Sequence, residues 1–358
     1  TTPPLRLESM GTQKNAPLPD GLEINGYRIV RKIASGGFSI VYLAEDGAGA
    51  QFAIKEYLPS NLSKRVAGEL KPNVEEKHLA TFRNGMKCFF EEGRALAGIF
   101  HPNVVRVVNF FRANNTVYMV MAFEKGRSLQ EIVLRHRKIN ARRAERHKAE
   151  KADGEPPIQT VLAERHVIHV FNLVMNGLRE VHTNRLLHLD LKPANVYLRM
   201  DGTPLLLDFG AARRTLDADS PRLFPMYTPG FAAPELYRRN PRLGPWTDVY
   251  GLGTSMYACM AGMPPQPADK RAKEDLLIDS IDRLSGAYSQ ALLDIIIWCV
   301  KLDPVERPQS VFSLQRALRS VNLPDQPRKG RISRIWSAIA PRKTIQQDND
   351  QHSLIASN

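Results

Sequence analysis

Apolar and polar residues alternate in the N-terminal third of the chain, which is the pattern of half-buried strands. Between Tyr27 and Lys55 the alternation is interrupted by turn residues at 35–37 and at 46–47, so we predict a three-stranded antiparallel meander. The runs VVRVVNFFR (104–112) and VYMVMAF (117–123) predict two further strands. Together these segments predict a small β-rich lobe.

Helical spacing replaces this alternation in two parts of the chain. Apolar residues between Leu79 and Ile99 recur every three or four positions, which predicts one helix beside the strands, joined to them by a polar connection at 56–78. From Leu129 onward helical patterns dominate. We therefore predict an α+β, two-lobed architecture with a small lobe at 25–121, a hinge at 122–126 and a larger α-helical lobe at 127–320.

The two ends of the chain have a different composition. Residues 1–24 are rich in Pro, Thr, Asn and Gly without apolar periodicity, and we expect a disordered leader there. Residues 321–358 form a basic tail, in which a helical stripe of apolar residues is flanked by arginines. The apolar stripe comprises Ile332, Ile335, Trp336 and Ile339.

Composition restricts the class of protein. The chain has 358 residues, of which 43% are hydrophobic, enough for a large core. No apolar stretch reaches the length of a membrane span, since the longest candidate, 291–300, contains Asp294. Cys88, Cys259 and Cys299 each fall in an apolar helical pattern, so we expect three buried thiols in a reducing compartment and a cytoplasmic location.

Two short motifs carry the chemistry. The first is HLDLKPAN at 188–195, and the second, DFG at 208–210, follows after a predicted hairpin. Phosphoryl transfer needs a base, a cation and oxygen ligands for magnesium, because its transition state is highly charged and loosely bonded. In this interpretation Asp190 accepts the proton of the substrate hydroxyl and Lys192 steadies the migrating charge. Asn195 and Asp208 hold Mg²⁺ against the phosphates.

The order of further motifs along the chain resembles that of the eukaryotic-like Ser/Thr protein kinases of the Hanks family, over residues 27 to 320. These motifs are ASGGFSIVY (34–42), FAIK (52–55), FFEE (89–92), YMVMAFEKG (118–126), TPGFAAPE (228–235), DVYGLG (248–253) and LDPVERP (302–308). The segment KEYLPSNLSKR (55–65) is similar to a bacterial subgroup. The resemblance implies a protein kinase domain at 25–320 with ATP and Mg²⁺ as cofactors and proteins as substrates.

The resemblance also implies how the nucleotide is bound. Lys55 would contact the α- and β-phosphates, and Glu92 would hold Lys55 in place through an ion pair. Adenine would lie between Val41 and Ala53 on one side and Tyr197 on the other. It would bond the backbone of Ala122 and Glu124, with Met121 at the back of the pocket. The phosphate-covering loop would consist of Ala34, Ser35, Gly36, Gly37 and Phe38.

Residues around the acceptor hydroxyl favour serine or threonine over tyrosine. Lys192 and Thr228 match the Ser/Thr pattern, in which both hydrogen-bond Asp190 around a short hydroxyl side chain. Two supports are expected away from the chemistry. Glu235 would form a buried ion pair with Arg307, and the Asp248 carboxylate would accept backbone amides of the catalytic loop.

The residue before the predicted base is Leu189, where many members of the family have an arginine that receives an activation-loop phosphate. We therefore expect activity that does not depend on phosphorylation between Asp208 and Glu235. Two alternatives to a protein kinase stay open. One is a pseudokinase scaffold that binds nucleotide and partners without turnover, and the other is phosphorylation of a small molecule.

The net charge of +13 is concentrated in an insertion at 135–158 and in the tail. The insertion is a solvated helical extension or flexible loop, or else a docking surface for an acidic protein, nucleic acid or anionic lipid. Nucleic acid is disfavoured because no aromatic residues are interleaved with the charges. The tail would dock on the kinase domain, lie on a membrane surface or bind a partner. The positive field favours acidic protein substrates.

Overall fold

A six-stranded antiparallel sheet forms the N-terminal lobe of the computed structural model, which describes residues 13–150, 160–209, 213–214, 228–238 and 241–321. The strand order is β1-β2-β3-β4-β6-β5. The strands are β1 (Glu23–Ile24), β2 (Tyr27–Gly36), β3 (Ser39–Asp46), β4 (Gln51–Tyr57), β5 (Val107–Ala113) and β6 (Thr116–Ala122). The predicted meander corresponds to β2–β4.

The two faces of this sheet are covered differently. Alternation along β4 places Ile54 and Glu56 on one face and Lys55 and Tyr57 on the other. Helix α1 (Glu76–Ala97) covers the Lys55 face. Gly85 allows this close packing, because a Cβ atom there would lie 1.9 Å from the Tyr57 hydroxyl oxygen. Lys55 therefore lies between the sheet and α1.

The opposite face carries an apolar core and is covered by the N-terminal segment. Leu18 is 2% exposed and belongs to the core cluster that contains Ile40 and Ile54. The Leu18 amide donates to the Tyr42 hydroxyl at 3.1 Å. The prediction of a disordered leader is thus wrong for residues 13–24, and residues 1–12 lie outside the described part. The leader prediction failed because this segment packs through Leu18, Leu22 and Ile24 together with polar groups, without a helical or strand-like period long enough to be recognised.

The connection between β4 and α1 is also more buried than predicted. Strand β4 extends to Tyr57, and the next turn buries Leu58 and Leu62. Arg65 pairs with Glu56 at 2.6 Å, and both side chains are fully buried. The first half of the segment 56–78 is therefore packed into the lobe, which the prediction of a polar connection did not anticipate, while residues 66–71 are exposed.

Helices dominate the C-terminal lobe, as predicted, together with two small sheets. The helices are α2 (Leu129–Glu150), α3 (Glu164–Thr183), α4 (Pro245–Ala261), α5 (Ala268–Arg271), α6 (Leu277–Asp282), α7 (Gln290–Cys299) and α8 (Val311–Arg319). The strands are β7 (Gly126–Ser128), β8 (Leu186–Leu187), β9 (Val196–Arg199), β10 (Pro204–Leu206) and β11 (Arg213–Arg214). Strands β9 and β10 form the hairpin expected between the two motifs.

Two contacts stabilise the frame around the catalytic loop. Arg307 donates to both oxygens of the buried Glu235 carboxylate, at 2.9 and 3.0 Å, which confirms the predicted ion pair. Helix α4 approaches the catalytic loop at Gly251, where a Cβ atom would lie 2.9 Å from the Cβ of Leu191. A larger residue at position 251 would push the loop away from the helix.

Three other predictions concern the basic insertion, the cysteines and membrane spans. Helix α2 continues into the basic insertion as far as Glu150, while residues 151–159 and the tail beyond 321 lie outside the described residues. Cys259 and Cys299 are buried, but Cys88 is exposed, so the prediction of three buried thiols is wrong for Cys88. Within the described ranges, no helix has the length and apolar character of a membrane span.

Candidate active site

The loop 188–195 is held by one buried carboxylate on α4. Asp248 accepts the amides of His188 at 2.9 Å and of Leu189 at 2.7 Å, as predicted, and also contacts the His182 ring nitrogen at 2.7 Å. Burial opposes ionisation of Asp248, but these hydrogen bonds and nearby histidines keep its pKa below the usual value. Leu189 adopts a left-handed backbone with φ 64°, so the loop is held in a conformation that few apolar residues adopt.

The Asp190 carboxylate is surrounded by donors. Lys192 Nζ donates to its Oδ2 at 2.6 Å, and the Thr228 hydroxyl donates to its Oδ1 at 2.8 Å. Lys192 also donates to the Thr228 oxygen at 2.6 Å, which closes a triangle of three side chains. The Asn195 amide adds a bond to Oδ2 at 3.1 Å. A carboxylate has about four acceptor positions, so Oδ1 retains capacity for one more donor.

Asn195 and Asp208 suit a magnesium ion that also binds phosphates. The Asn195 nitrogen donates to Asp190, which directs the amide oxygen of Asn195 elsewhere. The Asp208 side chain is 47% exposed, and its backbone has φ 53°. Among the described residues no cluster of three or more His, Cys, Asp or Glu side chains could hold a metal. One amide and one carboxylate fit Mg²⁺, which usually takes further ligands from phosphates and water.

Lys55 reaches across the cleft to the second motif. Its Nζ forms an ion pair with Asp208 Oδ1, and it lies 5.6 Å from the centre of the Phe89 ring. Burial alone would lower the pKa of Lys55, but the carboxylates of Asp208 and Glu92 raise it, so the ammonium form is favoured. Phe209 is buried and packs on His188 with ring centres 4.5 Å apart, which fixes the position of Asp208 beside the catalytic loop.

The predicted ion pair between Lys55 and Glu92 is not formed in this structure. Lys55 pairs with Asp208 instead, while Glu92 lies near enough for its charge to act on Lys55. Burial raises the pKa of Glu92 to about 7; Lys55 opposes this rise and Asp208 adds to it. The difference follows from the position of Asp208, whose Oδ1 lies in direct contact with Lys55 Nζ.

The predicted phosphate-covering residues lie at the β2–β3 hairpin. Ala34, Ser35 and Gly36 belong to β2, and Gly37 and Phe38 form the turn. The predicted turn at 35–37 is therefore displaced toward the C-terminus, because Gly36 still pairs with Ser39. Strand pairing sets Val41 opposite Lys55, so the hairpin and the ammonium group share one side of the lobe.

The predicted adenine contacts surround the hinge. Ala53 is paired with Met121 in the sheet, and both are half-buried, as are Val41, Ala122 and Glu124. Tyr197 lies on β9 and donates to the Glu124 carbonyl at 3.3 Å. Half-burial of small and apolar side chains beside the hinge fits a flat aromatic ring. The Tyr197 hydroxyl thus links β9, on one side of the predicted adenine site, to the hinge.

Sequence reasoning missed two groups at the site. His182 bonds the Asp248 carboxylate, but a histidine at the end of an amphipathic helix gives no distinct signal in a single sequence. Gln13 donates to the Gly36 carbonyl at 3.0 Å from a segment predicted to be disordered. Both residues act through contacts distant in sequence, which local patterns do not indicate.

Comparison with known proteins identifies the family. The family described as "Protein kinase domain" matches residues 27–319, so the chain belongs to the protein kinase family. A solved structure titled "PpkA-294 apo form" is similar with a TM-score of 0.67 and 30% identity, covering 84% of this chain and 99% of that chain. The predicted two-lobed kinase fold is thus confirmed.

Named relatives are Ser/Thr kinases from distant organisms. "Serine/threonine-protein kinase D" of Synechocystis is 25% identical over 309 residues, covering 83% of this chain and 52% of the relative. "Probable serine/threonine-protein kinase KIN1 homolog" of Encephalitozoon cuniculi is 23% identical over 340 residues, covering 93% of this chain and 51% of the relative. The chain spans between about a quarter and about a half of the curated relatives it matches.

The raised pKa of Glu92 gives a pH-dependent prediction. The folded protein binds this proton more tightly than the unfolded chain, whose ordinary value is 4.5, so ionisation of Glu92 destabilises the fold as pH rises from 4.5 to 7. In Glu92→Gln this loss is absent. We expect the variant to match the wild type near pH 4.5 and to exceed it by about 1–3 kcal/mol above pH 7.

Urea unfolding between pH 4.5 and 8 measures this difference. The control is Glu91→Gln, which removes the same charge from the exposed neighbouring position. A constant gap between wild type and Glu92→Gln across the pH range would contradict the assigned pKa.

Proposed function

We propose that this chain transfers the γ-phosphoryl group of ATP to serine or threonine hydroxyls of proteins. The observation that supports the proposal best is the triangle of Asp190, Lys192 and Thr228, whose side chains lie within 2.6 to 2.8 Å of one another. A carboxylate held by an ammonium and a hydroxyl is placed to accept a proton from a short hydroxyl side chain. The names of the relatives support the same activity.

Each side chain has a distinct task in this mechanism. Asp190 accepts the proton of the attacking hydroxyl, and Lys192 stabilises charge on the transferred group. Asn195 and Asp208 would hold Mg²⁺, which neutralises phosphate charge when bound. Lys55, which pairs with Asp208 and lies within the influence of the Glu92 charge, would contact the α- and β-phosphates.

The proposed preference for serine or threonine rests on the contacts of the Asp190 carboxylate. Because the Thr228 hydroxyl and Lys192 both contact the carboxylate, the acceptor oxygen approaches on a short side chain such as serine or threonine. The net charge of +13 favours acidic regions of protein substrates, most strongly at low ionic strength.

Replacing the proposed base tests this mechanism. Asp190→Asn preserves the size of the side chain but removes the proton acceptor, so we expect kcat to fall by about 10²- to 10⁴-fold with little change in the KM for ATP. The rate is measured as transfer of label from γ-labelled ATP to the chain itself and to generic protein substrates. Phosphoamino acid analysis then identifies the acceptor residue.

The matched control is Asp294→Asn on the exposed side of α7, which should retain full activity. Label on neither serine nor threonine with the wild type, despite nucleotide binding, would favour the alternative of a scaffold without turnover. Label on a small molecule alone would favour the other alternative.

We further propose that activity does not require phosphorylation of the segment between Asp208 and Glu235, here called the activation segment. Leu189 occupies the position before the base as a buried apolar side chain, and its amide is bound by Asp248. The Thr228 hydroxyl is already engaged by Lys192 and Asp190. Thr215 and Ser220 lie outside the described residues. The loop conformation is thus held by a carboxylate of the domain itself.

Phosphatase treatment tests this independence. We expect turnover to change by less than about two-fold after complete dephosphorylation verified by mass spectrometry, because no arginine at position 189 needs a phosphate partner. Loss of activity that is restored by rephosphorylation between 208 and 235 would contradict it.

A further inference from the structure

The segment before residue 27, where the family match begins, contacts the turn at 36–38, here called the phosphate-covering turn. We propose that residues 13–18, here called the N-terminal strap, position this turn for the nucleotide phosphates, with Gln13 as the positioning residue. The inference rests on the proposed ATP-dependent function. It assigns a task in nucleotide binding to residues outside 27–319, the range matched by the family.

The strap is anchored by a buried ion pair. Arg65 and Glu56 are both fully buried, and a buried guanidinium is tolerated only when its donors are satisfied. Arg65 Nε donates to the Ala16 carbonyl of the strap at 2.8 Å, and the Arg65 amide donates to Asn15 Oδ1 at 2.7 Å. Departure of the strap would leave these donors without their partners. The strap is therefore a constitutive part of the lobe.

Three consecutive carbonyls, those of residues 36–38, are bound, one by the strap and two by the segment 58–60 that follows β4. Gln13 Nε2 donates to the Gly36 carbonyl at 3.0 Å and to the Leu58 carbonyl at 2.8 Å. The Ser60 amide donates to the Gly37 carbonyl, and the Leu58 amide donates to the Phe38 carbonyl, both at 2.8 Å. Gln13 thus links the turn to the segment 58–60, whose backbone amides also bind the turn.

Peptide geometry translates these bonds into the direction of the amides. The C=O and N–H of one planar trans peptide unit point in opposite directions. Fixing the Gly36 carbonyl toward Gln13 therefore directs the amide of Gly37, which belongs to the same peptide unit, away from the strap. The strap covers the Glu56 face of the sheet, so we expect this amide to be directed toward the Lys55 face, where phosphates would bind.

A fixed turn would also allow the loop with the adjacent glycines Gly36 and Gly37 to bind the nucleotide phosphates. Gly36 and Gly37 have no side chains to restrict the backbone, so an unbound turn would sample many conformations. One bond from Gln13 removes part of this freedom before the nucleotide arrives. The expected gain appears in affinity for the phosphates and not in binding of the adenine ring.

Substitution of Gln13 tests the proposal in the full chain. Gln13→Met keeps a similar length but cannot donate, and Lys14→Met is the matched control at the exposed neighbouring position. We expect Gln13→Met to raise the KM for ATP and the Kd for Mg-ATP about three- to ten-fold, with kcat and the Kd for adenosine changed by less than about two-fold. Lys14→Met should match the wild type.

Adenosine separates positioning from general destabilisation, because it lacks phosphates but uses the same hinge. Equal weakening of adenosine and Mg-ATP binding in Gln13→Met would overturn the proposal, as would unchanged binding of both ligands. Failure of the wild type to bind Mg-ATP would overturn the proposed function and this inference with it. If the wild type binds Mg-ATP and Gln13→Met binds it equally well, only the role of the N-terminal strap is overturned.

Discussion

The site depends on one buried carboxylate, that of Asp248. It accepts two successive amides of the catalytic loop and so compensates for the left-handed backbone at Leu189. Because the loop is fixed at 188–189, the side chain of Asp190 leaves it toward Lys192 and Thr228. Asp190, the proposed base, is thus positioned by the backbone bonds of the two preceding residues. Gly251 on the same helix gives the loop the close approach that these bonds need.

The N-terminal lobe uses the two faces of β4 for two different charge pairs. On one face Lys55 reaches Asp208, an exposed partner that a metal ion would compete for. On the other face Glu56 and Arg65 form a permanent buried pair, completed by the hydroxyls of Tyr42 and Tyr118. Alternation along a single strand therefore separates Lys55, which we propose binds the nucleotide phosphates, from a buried pair that holds the lobe together.

Local patterns predict the strands of the meander, helix α1 and the spacing of the catalytic motifs, because each depends on periodicity or on residues close in sequence. They do not predict the burial of Arg65, whose partner is nine positions away on a strand, or the docking of residues 13–18, which have no apolar period. The choice of Asp208 over Glu92 by Lys55 also escapes sequence reasoning. It depends on the distances between side chains that lie far apart in sequence, which only the packed structure defines.

We propose that Lys55, Asn195 and Asp208 form one site for a magnesium nucleotide. Calorimetric titration of ATP with and without Mg²⁺, in the wild type and in Asp208→Asn, tests this site most directly. We expect Mg²⁺ to tighten ATP binding to the wild type by at least about ten-fold and to have little effect on the variant. Absence of nucleotide binding, or an equal effect of Mg²⁺ on both proteins, would contradict it.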